Sequence, residues 1–432
     1  MNEKLRVRLG ILLWLVVAAG FFILGVYAIQ NIELEAELAE MAVQEPGIER
    51  VELEAAGLDT VYLARVDRLI ESHIDSCTIA GAVLAVVHSD RLAYLKAYGR
   101  VELDGETMSV DTRFDLASLT KPVATATSLM QLVDRGVIDI DGRVSAIVPV
   151  FENWADEEGD SIAHITVSDL MSHLSGLPPY VALERFKREY SYVENPGKEC
   201  MIDYICHVER LAKPRTVCRY SCLNYIMLGH IVELSAGQSL DAYARENIFE
   251  PLGMTNTRFL PDAEYIAHTA PTSTLGADEE LRGVVHDPLA REVMAGVSGN
   301  AGLFSTAEDL AIFTAMLLNG GEWRGVRILS PESVERLFHR PNEEFSRTLA
   351  WDRIEPDSLL PEGAYSPVSE RMYSHNGATG TSIVLDRERD MAIILLTNRT
   401  HVDGPSAAMG RLRVGVREGV TYAVDPPEVG VE

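Results

Sequence analysis

Ser118 and Lys121 stand three residues apart in the stretch DLASLTKPV, residues 115–123. On a helical turn, positions i and i+3 share a face, so a lysine amine there can reach the serine hydroxyl. The chemistry this permits is attack by the serine oxygen on a carbonyl carbon, with the lysine taking the proton. Burial and the positive end of a helix both lower an ammonium's pKa, which predicts a neutral Lys121 able to act as that base. The plainer use of such a serine is structural: Ser118 is a good N-cap residue for the apolar run that follows it.

Two further stretches follow in order, RYSCLNYIMLG at 219–229 and YSHNGATGTSIVLDRERD at 373–390. With them the chain resembles the serine hydrolases of the class C β-lactamase and penicillin-binding-protein-like family. The three signatures of that family are Ser-x-x-Lys, Tyr-Ser-Asn and Lys- or His-x-Gly. They are matched by Ser118/Lys121, Tyr220-Ser221-Cys222 and His375-Asn376-Gly377. The likeness continues through HITVSDLMSHLSGLP, ENIFEPLGMTNT, SGNAGLFSTAEDLA and LLTNR, and covers roughly residues 61–400.

The resemblance implies that Ser118 forms an acyl-enzyme, with Lys121 and Tyr220 sharing the proton traffic. It also implies that the backbone N–H groups of Ser118 and Ala378 form the oxyanion hole, an arrangement worth about 3–4 kcal/mol in acyl transfer. Gly377 would let substrate lie along its strand with no side chain in the way. His375 and Cys222 complete the implied substrate-binding set; no cofactor and no metal is implied. His173 in SHLSGLP and His286 in GVVHDP fall in similar segments and read as structural.

Two positions depart from the family pattern. A lysine is frequent where His375 stands, and a histidine carries only partial positive charge near neutral pH. Asparagine is usual where Cys222 stands, and a thiol is a weak donor to an acyl amide. Both departures predict that simple esters are cleaved faster than penicillins. The stretch GVVHDPLAREVMAGVSGNAGLFS resembles a branch containing carboxypeptidases and an N-acetylmuramoyl-L-alanine amidase, which points to esters, D-amino-acid peptides or other peptidoglycan amides as substrates. A β-lactamase proper, or a penicillin-binding sensor that acylates once, are the alternatives.

Elements must hold these residues together. YLARVDRLIESHI has helical period, while AGAVLAVVHSD and RLAYLKAYGRV read as strands paired around a Ser-Asp turn. PVATATSLMQLVDRGV reads as a buried helix stopped at Gly136. Near the end, TSIVLD and MAIILLTN are strands joined by RERD, and the region from about 140 to 340 reads as mostly helical. Strands at both ends with helices between them predict an α+β domain, with one antiparallel sheet flanked by helices plus a helical lobe. The resemblance implies the same β-lactamase/transpeptidase-like fold.

The whole chain narrows the setting. Acidic residues outnumber basic ones 65 to 38, and the formal charge of −27 disfavours nucleic acid as a partner. Leu9 to Ile29 is uncharged, long enough for one bilayer crossing, preceded by Lys4, Arg6 and Arg8 and followed by Glu33, Glu35, Glu37 and Glu40. That charge asymmetry predicts one N-in transmembrane helix in the cell membrane with the catalytic domain outside; a signal peptide cleaved after Ala28 is the rival reading. The expected organisation is a cytoplasmic tail at 1–8, an anchor at 9–29, an acidic stalk at 30–60, the hydrolase domain at 61–422 and a disordered tail at 423–432. Five cysteines leave at least one unpaired; Cys200, Cys206, Cys218 and Cys222 cluster and could form disulfides, while Cys77 stands alone.

Overall fold

The computed structural model describes residues 47–53, 55–273, 281–356 and 366–427. The apolar run at 9–29 and the last five residues lie outside them. Among the described residues no helix is long and apolar enough to cross a membrane.

Helix α1 (Thr60–Asp75) is capped by Asp59, whose carboxylate accepts the Val61 N–H at 2.7 Å. Strands β1 (Gly81–His88) and β2 (Arg91–Gly99) follow, joined by Ser89 and Asp90, both at positive φ (50° and 62°). Two left-handed residues match the right-handed twist of a tight hairpin. Helix α2 (Thr127–Asp134), α3 (Cys222–Ala236) and α4 (Ala307–Leu318) belong to the middle of the chain. The C-terminal portion supplies β3 (Asp352–Arg353), β4 (Met372–Asn376), β5 (Ser382–Asp386), β6 (Met391–Thr397) and helix α5 (Ser406–Val424).

These strands form one antiparallel sheet in the order β2-β1-β6-β5-β4-β3, so N- and C-terminal strands meet at β1 and β6 as the sequence predicts. Both central strands are buried along nearly their whole length, which explains their unbroken apolar runs. Leu84, Val86, Ile393 and Leu395 face Leu63, Val66 and Ile70 of α1 and Leu412, Val416 and Val420 of α5. Val83, Ala85, Ile394 and Leu396 face the other way into the large core shared with α4 and the helical lobe. Helices α1 and α5 approach closely because α5 carries glycine at the contact. A β-carbon on Gly419 would lie 2.5 Å from Val66 Cγ2.

Three expectations change. The stretch from Gly47 to Asp59, assigned to the stalk, belongs to the globular unit: Ile48 and Leu58 are buried, and Val51 and Leu92 pair through their backbones. The helix expected after Lys121 opens with a π-helical turn, Lys121–Ala126, before α2 begins. All five cysteines are free thiols.

Candidate active site

Ser118 does not cap a helix. It lies in a short 3₁₀ turn, Ala117–Leu119, that follows the two-residue strand Phe114–Asp115. Ala117 adopts φ +47°, a conformation that costs a non-glycine residue of order 1 kcal/mol or more. The Asp115 carboxylate holds it there by accepting the Ala117 N–H at 2.8 Å. The π-helical turn then places Lys121 beneath Ser118.

Lys121 is fully buried, and its Nζ donates to Ser118 Oγ at 2.9 Å and to the Asn300 carbonyl at 3.0 Å. Cys222 Sγ, in the first turn of α3, lies 3.7 Å from the same nitrogen. The Tyr220 ring covers it, with its centre 5.0 Å away. Burial pulls the Lys121 pKa down, but the acidic groups of Cys222 and Tyr220 pull harder in the other direction, and the net value lies above the ordinary 10.5. The expectation of a neutral amine fails for this reason: desolvation acts alone only where no acidic neighbour shares the pocket.

Tyr220 is placed by the segment around His173, a buried residue at φ +61°. The His173 carbonyl accepts the Arg219 N–H at 3.0 Å, and its Nδ1 accepts the Ser221 N–H at 3.1 Å. Its ring lies 4.4 Å from the Tyr220 ring, centre to centre. Ser221 Oγ donates to the Pro178 carbonyl at 2.5 Å, and Cys222 N–H donates to the Pro179 carbonyl at 2.8 Å. A structural histidine is what this geometry supports. Burial, reinforced by the cations of Arg347 and Lys121, pushes the His173 pKa well below 6.5 and keeps the ring neutral as an acceptor.

The third motif sits on β4 and the turn after it. Thr379 and Thr381 donate their hydroxyls to the carbonyls of Asp115 (2.8 Å) and Leu116 (3.1 Å), which fastens the Ala378 turn to the Ser118 turn. A β-carbon on Gly377 would lie 2.6 Å from the Leu116 carbonyl oxygen, so glycine is needed here for contact between these two turns. His375 is only 4% exposed, and its Nδ1 has no hydrogen-bond partner among the described residues. Burial first, then Arg347 and Lys121, push its pKa well below 6.5. The partial positive charge expected of it is absent.

Cations come from elsewhere. A cleft of about 340 Å³ is lined by Ser118, Tyr220, His375, Gly377 and Ala378 together with Arg347, Asp352 and Arg413. The Arg347 guanidinium lies 5.4 Å from the centre of the Tyr220 ring and pairs with Asp352 at 3.2 Å. Arg413, from α5, donates to the Gly377 and Thr381 carbonyls at 2.8 and 2.9 Å. Sequence reasoning missed both arginines. Neither sits in a motif, and Arg413 is nearly 300 residues from Ser118 along the chain. Cys222, expected among the substrate contacts, does not line this cleft; its thiol faces Lys121.

Comparison with known proteins gives the family. A model of the family described as Beta-lactamase matches residues 66–416, and the chain belongs to that family. It is 33% identical over 381 residues to an N-acetylmuramyl-L-alanine amidase of Bacillus subtilis, covering 81% of this chain and 84% of that one. It is 29% identical over 425 residues to a Salmonella gallinarum protein named "Putative D-alanyl-D-alanine carboxypeptidase", covering 91% and 96%. The solved structure of EstCE1, a hydrolase with promiscuous acyltransferase activity, superposes with a TM-score of 0.66 at 23% identity, covering 83% of this chain and 98% of that one. The last likeness speaks for the fold alone. Family and relatives together make the protein a serine hydrolase of the β-lactamase family.

Proposed function

We propose that the protein cleaves amide bonds of peptidoglycan fragments through an acyl-enzyme on Ser118, as an N-acetylmuramoyl-L-alanine amidase. The observation that carries the chemistry is the buried Lys121 ammonium donating to Ser118 Oγ at 2.9 Å. With Lys121 held as the ammonium, the serine proton passes to Tyr220, which acts as a phenolate paired with that ammonium, as Ser118 Oγ bonds to the substrate carbonyl carbon. Lys121 stabilises the oxygen that is losing the proton. The N–H groups of Ser118 and Ala378 receive the oxyanion. The proton held by Tyr220 then goes to the leaving amine as the C–N bond breaks, and water releases the acyl group by the reverse proton path.

The choice of bond rests on the amidase relative, the more similar of the two curated relatives described above. The cleft supplies a reason for a second reading. Arg347 and Arg413 line it, and a guanidinium suits a C-terminal carboxylate such as a D-alanyl carboxypeptidase substrate presents. We further propose that residues 9–29 anchor the protein in the cell membrane with this domain outside, where peptidoglycan lies; the uncharged run and its flanking charges support that placement.

Mass spectrometry of purified muropeptides after incubation tests the reading. An amidase releases a peptide with a free alanine N-terminus and intact N-acetylmuramic acid. A carboxypeptidase removes only the terminal D-alanine. Hydrolysis of neither bond, with brisk turnover of simple esters, would show that cell-wall amides are not the substrates.

A further inference from the structure

Asp115 is 1% exposed and has no cationic hydrogen-bond partner among the described residues. Such a carboxylate is costly to bury, so its retention beside a nucleophile calls for a reason. Its two oxygens are used separately. Oδ1 accepts the N–H of Ala117 at 2.8 Å, and Oδ2 accepts the N–H of His286 at 2.7 Å. The first bond fixes the left-handed residue directly before Ser118. The second reaches His286, from which the chain runs through the π-helical turn Leu289–Val293 to Gly299 and Asn300, whose carbonyls receive Thr125 and Lys121. The Asp115 carbonyl meanwhile accepts the Thr379 hydroxyl, one residue beyond Ala378. One residue thus ties together the nucleophile turn, the loop that seats the lysine and the turn that carries the second oxyanion donor.

We propose that Asp115 is a positioning residue for the reaction: its carboxylate holds Ala117 in the left-handed conformation that aims Ser118 and locks that turn to the Lys121-binding loop. The inference rests on Ser118 being the nucleophile. Protonation should weaken the clamp, because a neutral carboxyl accepts less strongly and brings its own hydrogen to face one of the two N–H groups. Burial pushes the Asp115 pKa up to about 6; the two N–H donors act downward, Asp287 upward and Arg291 downward. The charged or titratable groups acting on it are His286 and Asp287, and Arg291 in the π-helical turn Leu289–Val293. The Ala378 turn offers the hydroxyl of Thr379, and the paired strand Phe304–Ser305 offers no charge.

The test reads the rate of covalent labelling of Ser118 by a fluorophosphonate in the full-length protein across pH. In the wild type the rate should fall as pH drops through about 6. Asp115→Asn should label about 10–100-fold more slowly at neutral pH, the scale of a small misplacement of a reacting group, and should lack that acid limb. Glycine adopts the left-handed conformation without help, so adding Ala117→Gly to Asp115→Asn should recover at least tenfold. Labelling that survives in Ser118→Ala sinks the assignment of the nucleophile, a separate failure. With labelling confined to Ser118, a normal rate in Asp115→Asn, or no recovery in the double variant, overturns the role of Asp115. If Asp115→Asn does not fold, Ala117→Gly alone decides: a weaker acid limb than the wild type supports the clamp, and an unchanged limb overturns it.

Discussion

Cys222 Sγ lies 3.7 Å from Lys121 Nζ, the same ammonium that bonds the candidate nucleophile Ser118 at 2.9 Å. The Asn300 carbonyl accepts from the ammonium at 3.0 Å, and the acidic groups of Cys222 and Tyr220 favour its charged form in a fully buried place. In the proposed mechanism the charged Lys121 stabilises anionic oxygens, and the Tyr220 phenolate carries the proton.

That division of labour predicts a non-additive pair. Lys121→Met and Tyr220→Phe should each lower kcat for an ester by about 10²–10⁴-fold, and the double variant should lose little more than the worse single one. Losses that multiply, in steady-state assays of all four proteins, would mean that the two groups act independently.

Position 375 is where a departure from the family pattern was expected to weaken binding of carboxylates, and Arg347, a cation that lines the cleft, is proposed for that task. Arg347→Gln should raise KM about tenfold or more for a peptide with a free C-terminal carboxylate and leave its amidated counterpart much less affected. Equal effects on both peptides would make Arg347 a packing residue. The expected preference for esters over penicillins loses its second support too, because Cys222 faces Lys121 and not the cleft; Cys222→Asn should therefore leave the ester-to-penicillin ratio unchanged.

Restoring the family's lysine at 375 should not help. His375 is buried beside the cations Arg347 and Lys121. A third cation there meets desolvation and like charge, so His375→Lys should destabilise the fold by about 3 kcal/mol or more. Denaturant unfolding measures it; a midpoint equal to that of the wild type would place position 375 in contact with water.

His173 gives a pH signature. Its folded pKa lies well below 6.5, so the unfolded chain takes the proton more readily. Its contribution to stability is therefore complete above that ordinary value and is lost as pH falls below it. His173→Phe removes the acceptor for the Ser221 N–H and should cost about 1–3 kcal/mol at neutral pH. The gap between the two proteins should shrink between about pH 7 and 5, read from paired denaturant titrations; a constant gap contradicts a neutral imidazole acceptor.

Much of this was legible in residue order. The hairpin around Ser89-Asp90, the paired terminal strands and the meeting of Ser118, Lys121 and Tyr220 all follow from local pattern and motif. What stayed hidden depends on distance in sequence. Arg413 enters the cleft only because α5 packs across the sheet, and no period or spacing announces that. The charge state of Lys121 was misread because proximity to Cys222 and Tyr220 arises only in three dimensions. The need for glycine at 377 was attributed to substrate, whereas the Leu116 carbonyl alone already forbids a side chain.

The central claim is that one serine, Ser118, is the nucleophile. Intact-protein mass spectrometry after exposure to a fluorophosphonate, followed by peptide mapping, tests it most directly. A single adduct on Ser118, absent from Ser118→Ala, is the predicted result. An adduct on another serine, or equal labelling of the Ser118→Ala protein, would contradict it.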